Sequence, residues 1–241
     1  MRDGSKSDMR EWALPERSWV MAQTWRDLLF AHWRVPPADL GRVVPLPLEL
    51  DLWEGSAWIG VVPFRMDRIR PRGMFAVPGI SATPEINVRT YVKFGGKRGV
   101  YFLSLHASNR AAVKVARRFF HLPYHPAKMN VRSQEDMVHY ESAGELAQFR
   151  GSYRPTGEVA PGQPGTLEYW LTERYCFYAL DPQGRVIRGE VDHPRWPLQP
   201  AEASIETNTM TEPFGIDLPD EPPLLHFSRT LDVILWMPEQ A

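Results

Sequence analysis

The stretch PEINVRTYV (84–92) alternates without a break, with Glu85, Asn87, Arg89 and Tyr91 on one side and Ile86, Val88 and Thr90 on the other. A period of two predicts a β-strand with unlike faces. The same logic runs along most of the chain. TWRDLLFAHWRV (24–35) fits a helical turn or a strand, and Phe30, Trp33 and Val35 tilt it toward strand. LELDLWEGSAWIGVVPF predicts a hairpin turning at Glu54-Gly55, and EINVRTYVKF with GVYFLSLHA predicts a second one around GGKR. Residues 70–84, with three prolines and two glycines, predict a loop. Helical spacing is rarer. PPADLGRVVP (36–45) predicts a short helix. SNRAAVKVARRFF (108–120) predicts a longer one, capped by Ser108 or Asn109, with Ala112, Val115, Ala116 and Phe119 as its buried stripe and its basic residues in solvent. TLEYWLTERYCFYAL (166–180) fits a helix at its start and a strand at its end. Many short strands with few helices predict a mainly β fold, and a closed barrel is the natural way to protect so many edges. Residues 1–18 have little periodicity and are expected to be a tail or arm, with 19–241 as a single domain.

Composition narrows the function more than the fold. A formal net charge of -1 argues against a nucleic-acid partner held by phosphate contacts. The N-terminus lacks the apolar core of a signal peptide, and no run of residues is long and apolar enough to span a bilayer. The single cysteine, Cys176, permits no internal disulfide and fits a cytoplasmic location. No membrane partner is expected.

The usual chemical signatures are missing. The seven histidines are scattered, and Pro123 keeps His121 and His125 off a common helix face, so no metal is expected. There is no glycine-rich phosphate loop, dinucleotide fingerprint or serine elbow, so no cofactor is expected. The polar face of 84–92 remains. Glu85 and Arg89 are about 13 Å apart along an extended strand, too far for a direct ion pair. That face either meets solvent or lines a cavity, and the alternation alone does not choose.

Several strings are distinctive together: FAHWRV (30–35), VVPLPLELD (43–51), PEINVRTYV, GVYFLSLHASNRAAVKVARRFFHLPYHPAKM (99–129), LTERYCFY (171–178), HPRWPLQPAEASIETNTM (193–210) and LLHFSRTLDVILW (224–236). They resemble the YqjF-like family, a bacterial family of unknown function, from about residue 20 to the C-terminus. That family is similar, more remotely, to acetoacetate decarboxylase and its relatives. The resemblance implies a β-barrel with a central cavity and a few covering helices. It places Arg34 where the decarboxylases have an active-site arginine, and Glu85 at their cavity glutamate. Their catalytic lysine, which forms a Schiff base with the substrate ketone, follows a GFP string. Here Tyr124 and His125 follow the corresponding LP, and neither can form an imine. Lys93 or Lys128 could substitute only by turning into the barrel.

The resemblance therefore carries over the cavity and not the decarboxylation. It implies that Glu85, Tyr124 and His125 do acid–base work of a lyase or hydrolase type on a small carboxylate or keto compound. Arg34, Asn87, Arg89 and Tyr91 would bind the ligand, which is expected to be anionic. It also implies a homo-oligomer, since the decarboxylases assemble as oligomers. Two other readings stay open: a ligand carrier or sensor using the same pocket, and an interaction protein whose interface is built around Trp196.

Overall fold

The computed structural model describes residues 10–76 and 82–241. In chain order the elements are β1 (Met21–Val35), α1 (Pro37–Gly41), β2 (Glu49–Leu50), β3 (Ala57–Pro71), β4 (Thr83–Phe94), β5 (Lys97–Ala107), α2 (Arg110–Phe120), β6 (Tyr124–Gln134), β7 (Met137–Gly144), β8 (Gln148–Pro155), α3 (Leu167–Thr172), β9 (Cys176–Leu180), β10 (Val186–Asp192), β11 (Gln199–Asn208), β12 (Leu224–Leu235) and β13 (Glu239–Gln240). All thirteen strands join one hydrogen-bonded sheet.

Pairing of β4 with β5 closes nine strands, in the order β5-β6-β7-β8-β11-β12-β1-β3-β4, into a barrel. β9 and β10 bridge from β5 to β12 and close a second, smaller ring with β1, β3 and β4. Strands β12, β1, β3, β4 and β5 are therefore a wall common to both rings. Side chains alternate across that wall. Leu29, Ala31, Ile59, Val61, Ile86 and Val88 point into the nine-stranded barrel and pack with Val138, Tyr140, Phe149 and Phe227 in a continuous apolar core. Phe30, Val62 and Phe64 point the other way, into the smaller ring. The aliphatic side of β4 is thus covered by β7 and β8 rather than by a helix.

Both predicted tight turns form. Gly95 and Gly96 take φ of +57° and +80° between β4 and β5, as a two-residue hairpin of this hand requires. Glu54 and Gly55 also turn left-handed, but the strand before them pairs with β4 and not with β3, so the first predicted hairpin is only a turn. The 24–35 segment is wholly strand, and 166–180 is a helix followed by a strand. The predicted loop at 70–84 is shorter than expected, because β3 runs to Pro71 and β4 starts at Thr83; residues 77–81 lie outside those described.

In α2, the Asn109 side chain accepts from the Ala111 and Ala112 amides. Its buried residues are Val113 and Phe120, while Val115 and Phe119 are exposed. The expected stripe is rotated because the helix lies along one end of β6 and β5 rather than across a sheet. The first nine residues of the expected arm are outside those described. The rest of it packs against the sheet: Arg10 reaches Glu190 at 2.6 Å and Asp192 at 3.3 Å, and the Trp236 indole donates to the Arg17 carbonyl. No helix among the described residues is long and apolar enough to cross a membrane.

Candidate functional site

The smaller ring encloses a cavity of about 90 Å³. Its walls come from β1, β3, β4, β5, β6, β9, β10 and the segments flanking α3 and β11, with Glu85, Arg89, Tyr124, Arg174, His193 and Trp196 as the polar or amphipathic lining. Phe64, Phe102 and Phe177 make much of the remainder. Two glycines make room for rings inside the smaller ring. An added Cβ at Gly60 would lie 2.9 Å from the His32 ring, and one at Gly189 would lie 2.1 Å from the Phe177 ring.

β4 supplies the chemistry through its inward face. Glu85 pairs across the ladder with Phe64 on one side and Ala107 on the other, and it is only 3% exposed. The Tyr124 hydroxyl donates to its Oε2 at 2.6 Å. From the opposite side of the sheet the Tyr140 hydroxyl donates to the Glu85 carbonyl at 2.6 Å, fixing the backbone. Burial raises the Glu85 carboxyl to about 7, against the opposing effect of hydrogen bonds from Tyr124 and Asn87. Burial and the neighbouring carboxylate push Tyr124 well above the ordinary phenol range, so it remains a donor. The pair is a carboxyl able to hold or release a proton near neutrality, oriented by a phenol.

Two turns of the pleat further on, Arg89 places its guanidinium 5.0 Å from the Phe30 ring. Beyond it the Tyr91 hydroxyl meets His32 Nε2 at 2.6 Å. Burial and the adjacent Arg89 lower the His32 pKa well below its usual value, so this is a neutral imidazole–phenol contact. Tyr91 packs against Trp170 of α3, 4.9 Å between centroids.

Glu85, Arg89 and Tyr124 therefore converge on one cavity, with Asn87 bonded to Glu85 and Tyr91 behind Arg89. Arg34 does not join them. It has the right parity but lies at the end of β1, exposed, with its guanidinium 5.8 Å from the Trp58 ring. His125 is also outside the cavity. Adjacent strand residues point to opposite faces, so with Tyr124 inward His125 packs against His106 on the other side, near Arg117. Lys93 is half-exposed and pairs with Glu49 at 3.5 Å, and Lys128 is exposed. Among the described residues no lysine lines the cavity. Cys176 does line it, but burial pushes its thiol up to about 12 and it bonds the Arg98 carbonyl, which leaves no thiolate to attack.

The residue that strand parity could not supply is Arg174, between α3 and β9. It is ion-paired with Asp51 at 2.7 Å and donates from Nε to the Trp170 carbonyl at 2.7 Å, while also lining the cavity. A charged pair, Glu173-Arg174, between apolar segments was the available signal. Glu173 accepts from the Trp196 amide at 3.0 Å and from the Tyr175 hydroxyl at 2.6 Å, so it positions Trp196 in the cavity wall. Trp196 is 2% exposed, which removes it from the surface where an interface would need it.

Comparison with known proteins agrees with this architecture. Residues 22–232 match the model of DUF2071, a family of uncharacterized conserved proteins. The uncharacterized protein YqjF of Bacillus subtilis (strain 168) is 43% identical over 227 residues, 93% of each chain. Among solved structures, an acetoacetate decarboxylase-like enzyme from Sphingomonas wittichii RW1 superposes with a TM-score of 0.64 at 14% identity, over 93% of this chain and 95% of that one. The enduracididine biosynthesis enzyme MppR, complexed with the condensation product of pyruvate and imidazole 4-carboxaldehyde, gives 0.68 at 11% identity, over 92% and 88%. At these identities the two structures share the fold with this chain. The expected acetoacetate decarboxylase-like barrel is the one observed.

Proposed function

The chain belongs to the DUF2071 family, and from that premise we propose that its smaller ring binds a compact organic molecule and transfers a proton to or from it at the Glu85–Tyr124 pair. The observation that carries this is a single one: a carboxyl buried in a cavity wall, hydrogen-bonded at 2.6 Å by the half-buried Tyr124 phenol, with burial raising its pKa to about 7. A group of that kind is costly to bury unless it is used, and its pKa matches general acid–base work at neutral pH. Small carboxylates and keto compounds are the substrate class that the fold suggests, since MppR has been seen with pyruvate and with a pyruvate condensation product. The reaction proceeds without an imine, because Tyr124 and not a lysine lies beside Glu85. The lone buried thiol needs no oxidising compartment, which supports a cytoplasmic location.

The test is turnover, followed by NMR, of a panel of small keto acids, hydroxy acids and lactones. Glu85→Gln should abolish it with the fold retained, and Tyr124→Phe should reduce it. A ligand bound stoichiometrically and returned unchanged would instead make the protein a carrier. A borohydride-trapped adduct on a lysine would overturn the exclusion of imine chemistry.

A further inference from the structure

The charges around the cavity do not balance. Two guanidinium groups flank the same ring, with the Arg89 Cζ 6.0 Å and the Arg174 Cζ 4.9 Å from the Tyr91 centroid. Both side chains line the cavity and both residues are buried, at 8% and 7% exposure. Arg174 has its counter-ion in Asp51. Arg89 has no carboxylate within ion-pairing distance among the described residues, and Glu85 on the same strand is about 13 Å away along the backbone. His32 beside it is neutral. A buried guanidinium without a counter-charge carries a large desolvation penalty.

The hydrogen-bonding groups are unbalanced in the same sense. Arg89 Nε, Arg174 Nη2, Trp25 Nε1 and Trp196 Nε1 are buried, belong to residues lining the cavity, and have no acceptor among the described residues. Donors exceed acceptors, and one positive charge is left over. A complementary molecule is acceptor-rich at one end and carries one negative charge.

We propose that Arg89 and Arg174 form an anion clamp at the Tyr91 end of the cavity and that its occupant is a compact monocarboxylate. The carboxylate takes the guanidinium N–H groups, and the body of the molecule lies against Phe64, Phe102 and Phe177 toward Glu85. A dianion such as a phosphate ester or a dicarboxylate would bring a second charge with no partner. The clamp rests on the proposed ligand cavity and adds the ligand's charge, size and direction.

Isothermal titration of the 241-residue chain tests it, using acetate, butyrate and pyruvate against acetamide and butyramide, with succinate and inorganic phosphate as dianion probes. Monocarboxylates should bind at least tenfold more tightly than the matching amides and the dianions. Arg89→Gln should weaken carboxylate binding at least tenfold and raise the melting temperature of the ligand-free protein, because an unpaired charge is removed. Arg174→Gln should weaken binding and lower the melting temperature, because Asp51 loses its nearest partner. Glu85→Gln should still bind the carboxylates, which separates the clamp from the proton transfer. Amides binding as tightly as carboxylates, or an Arg89→Gln protein that binds them unchanged, would overturn the clamp and leave the cavity reading standing. Failure of every probe to bind the wild-type protein would overturn both. Carboxylate binding without turnover of any substrate would support the clamp and reject the acid–base reading.

Discussion

The two faces of β1, β3 and β4 belong to the same strands and meet different demands. On one face Leu29, Ala31, Ile59, Val61, Ile86 and Val88 interlock with the residues of β7 and β8. The Tyr140 and Tyr153 hydroxyls there donate to backbone carbonyls, no charged side chain intrudes on this cluster, and only His106 beside Ile86 and Ser142 of β7 keep polar atoms without a partner among the described residues. On the other, His32, Glu85, Asn87 and Arg89 are also buried, and three of them keep an atom with no partner among the described residues: His32 Nδ1, Asn87 Oδ1 and Arg89 Nε. Evolution could have filled the second face with hydrocarbon as it did the first. Holding charge and hydrogen-bonding capacity there costs stability, and that cost is the ground for proposing a site on this face.

Mutations should separate the faces. The largest effect belongs to the cavity: Glu85→Gln should lower turnover by about 10²–10⁴-fold, as loss of a general acid or base does, while the melting temperature holds or rises. On the packed face Ile86→Ala should cost roughly 2–5 kcal/mol in denaturant unfolding by leaving a void among rigid neighbours, with no effect on ligand affinity. A third test uses pH. The folded Glu85 carboxyl titrates near 7, and the unfolded one near 4.3. Stability from keeping it protonated is fully present below the unfolded value and is lost as pH rises through 7. The wild type should thus lose about 3 kcal/mol of stability between pH 4.5 and pH 8 that Glu85→Gln does not lose. The smallest effect tests the packing of His32 behind the cavity. Gly60→Ala should cost about 1–3 kcal/mol by pressing on the His32 ring, and should disturb the Tyr91 contact.

The uneven legibility of the site has physical causes. The two faces of β4 could be read because a period of two survives in any strand, but the resemblance put the polar face toward the barrel lumen, whereas the aliphatic face fills the nine-stranded barrel and the polar face lines the smaller ring. Arg34 was assigned to the cavity by the resemblance alone, which says nothing about depth: β1 ends one residue later and the side chain is exposed. Nor can two consecutive strand residues share a cavity, which is why His125 had to be lost once Tyr124 was found inside. Arg174, Trp25 and Trp196 come from separate parts of the chain and meet only because β9 and β10 close the smaller ring, a pairing with no local signal. The rotation of α2 was hidden for a similar reason. Val113 and Val115 are chemically alike, and only the position of β6 decides which is buried.

The central claim is that Glu85 is a buried acid–base group in a cavity wall. It is tested most directly by a ¹³C NMR titration of glutamate side-chain carboxyls, with the Glu85 signal assigned by its loss in Glu85→Gln. A midpoint near 7 that shifts in Tyr124→Phe is the result predicted. A midpoint at the ordinary glutamate value of about 4.3, unmoved by Tyr124→Phe, would contradict it.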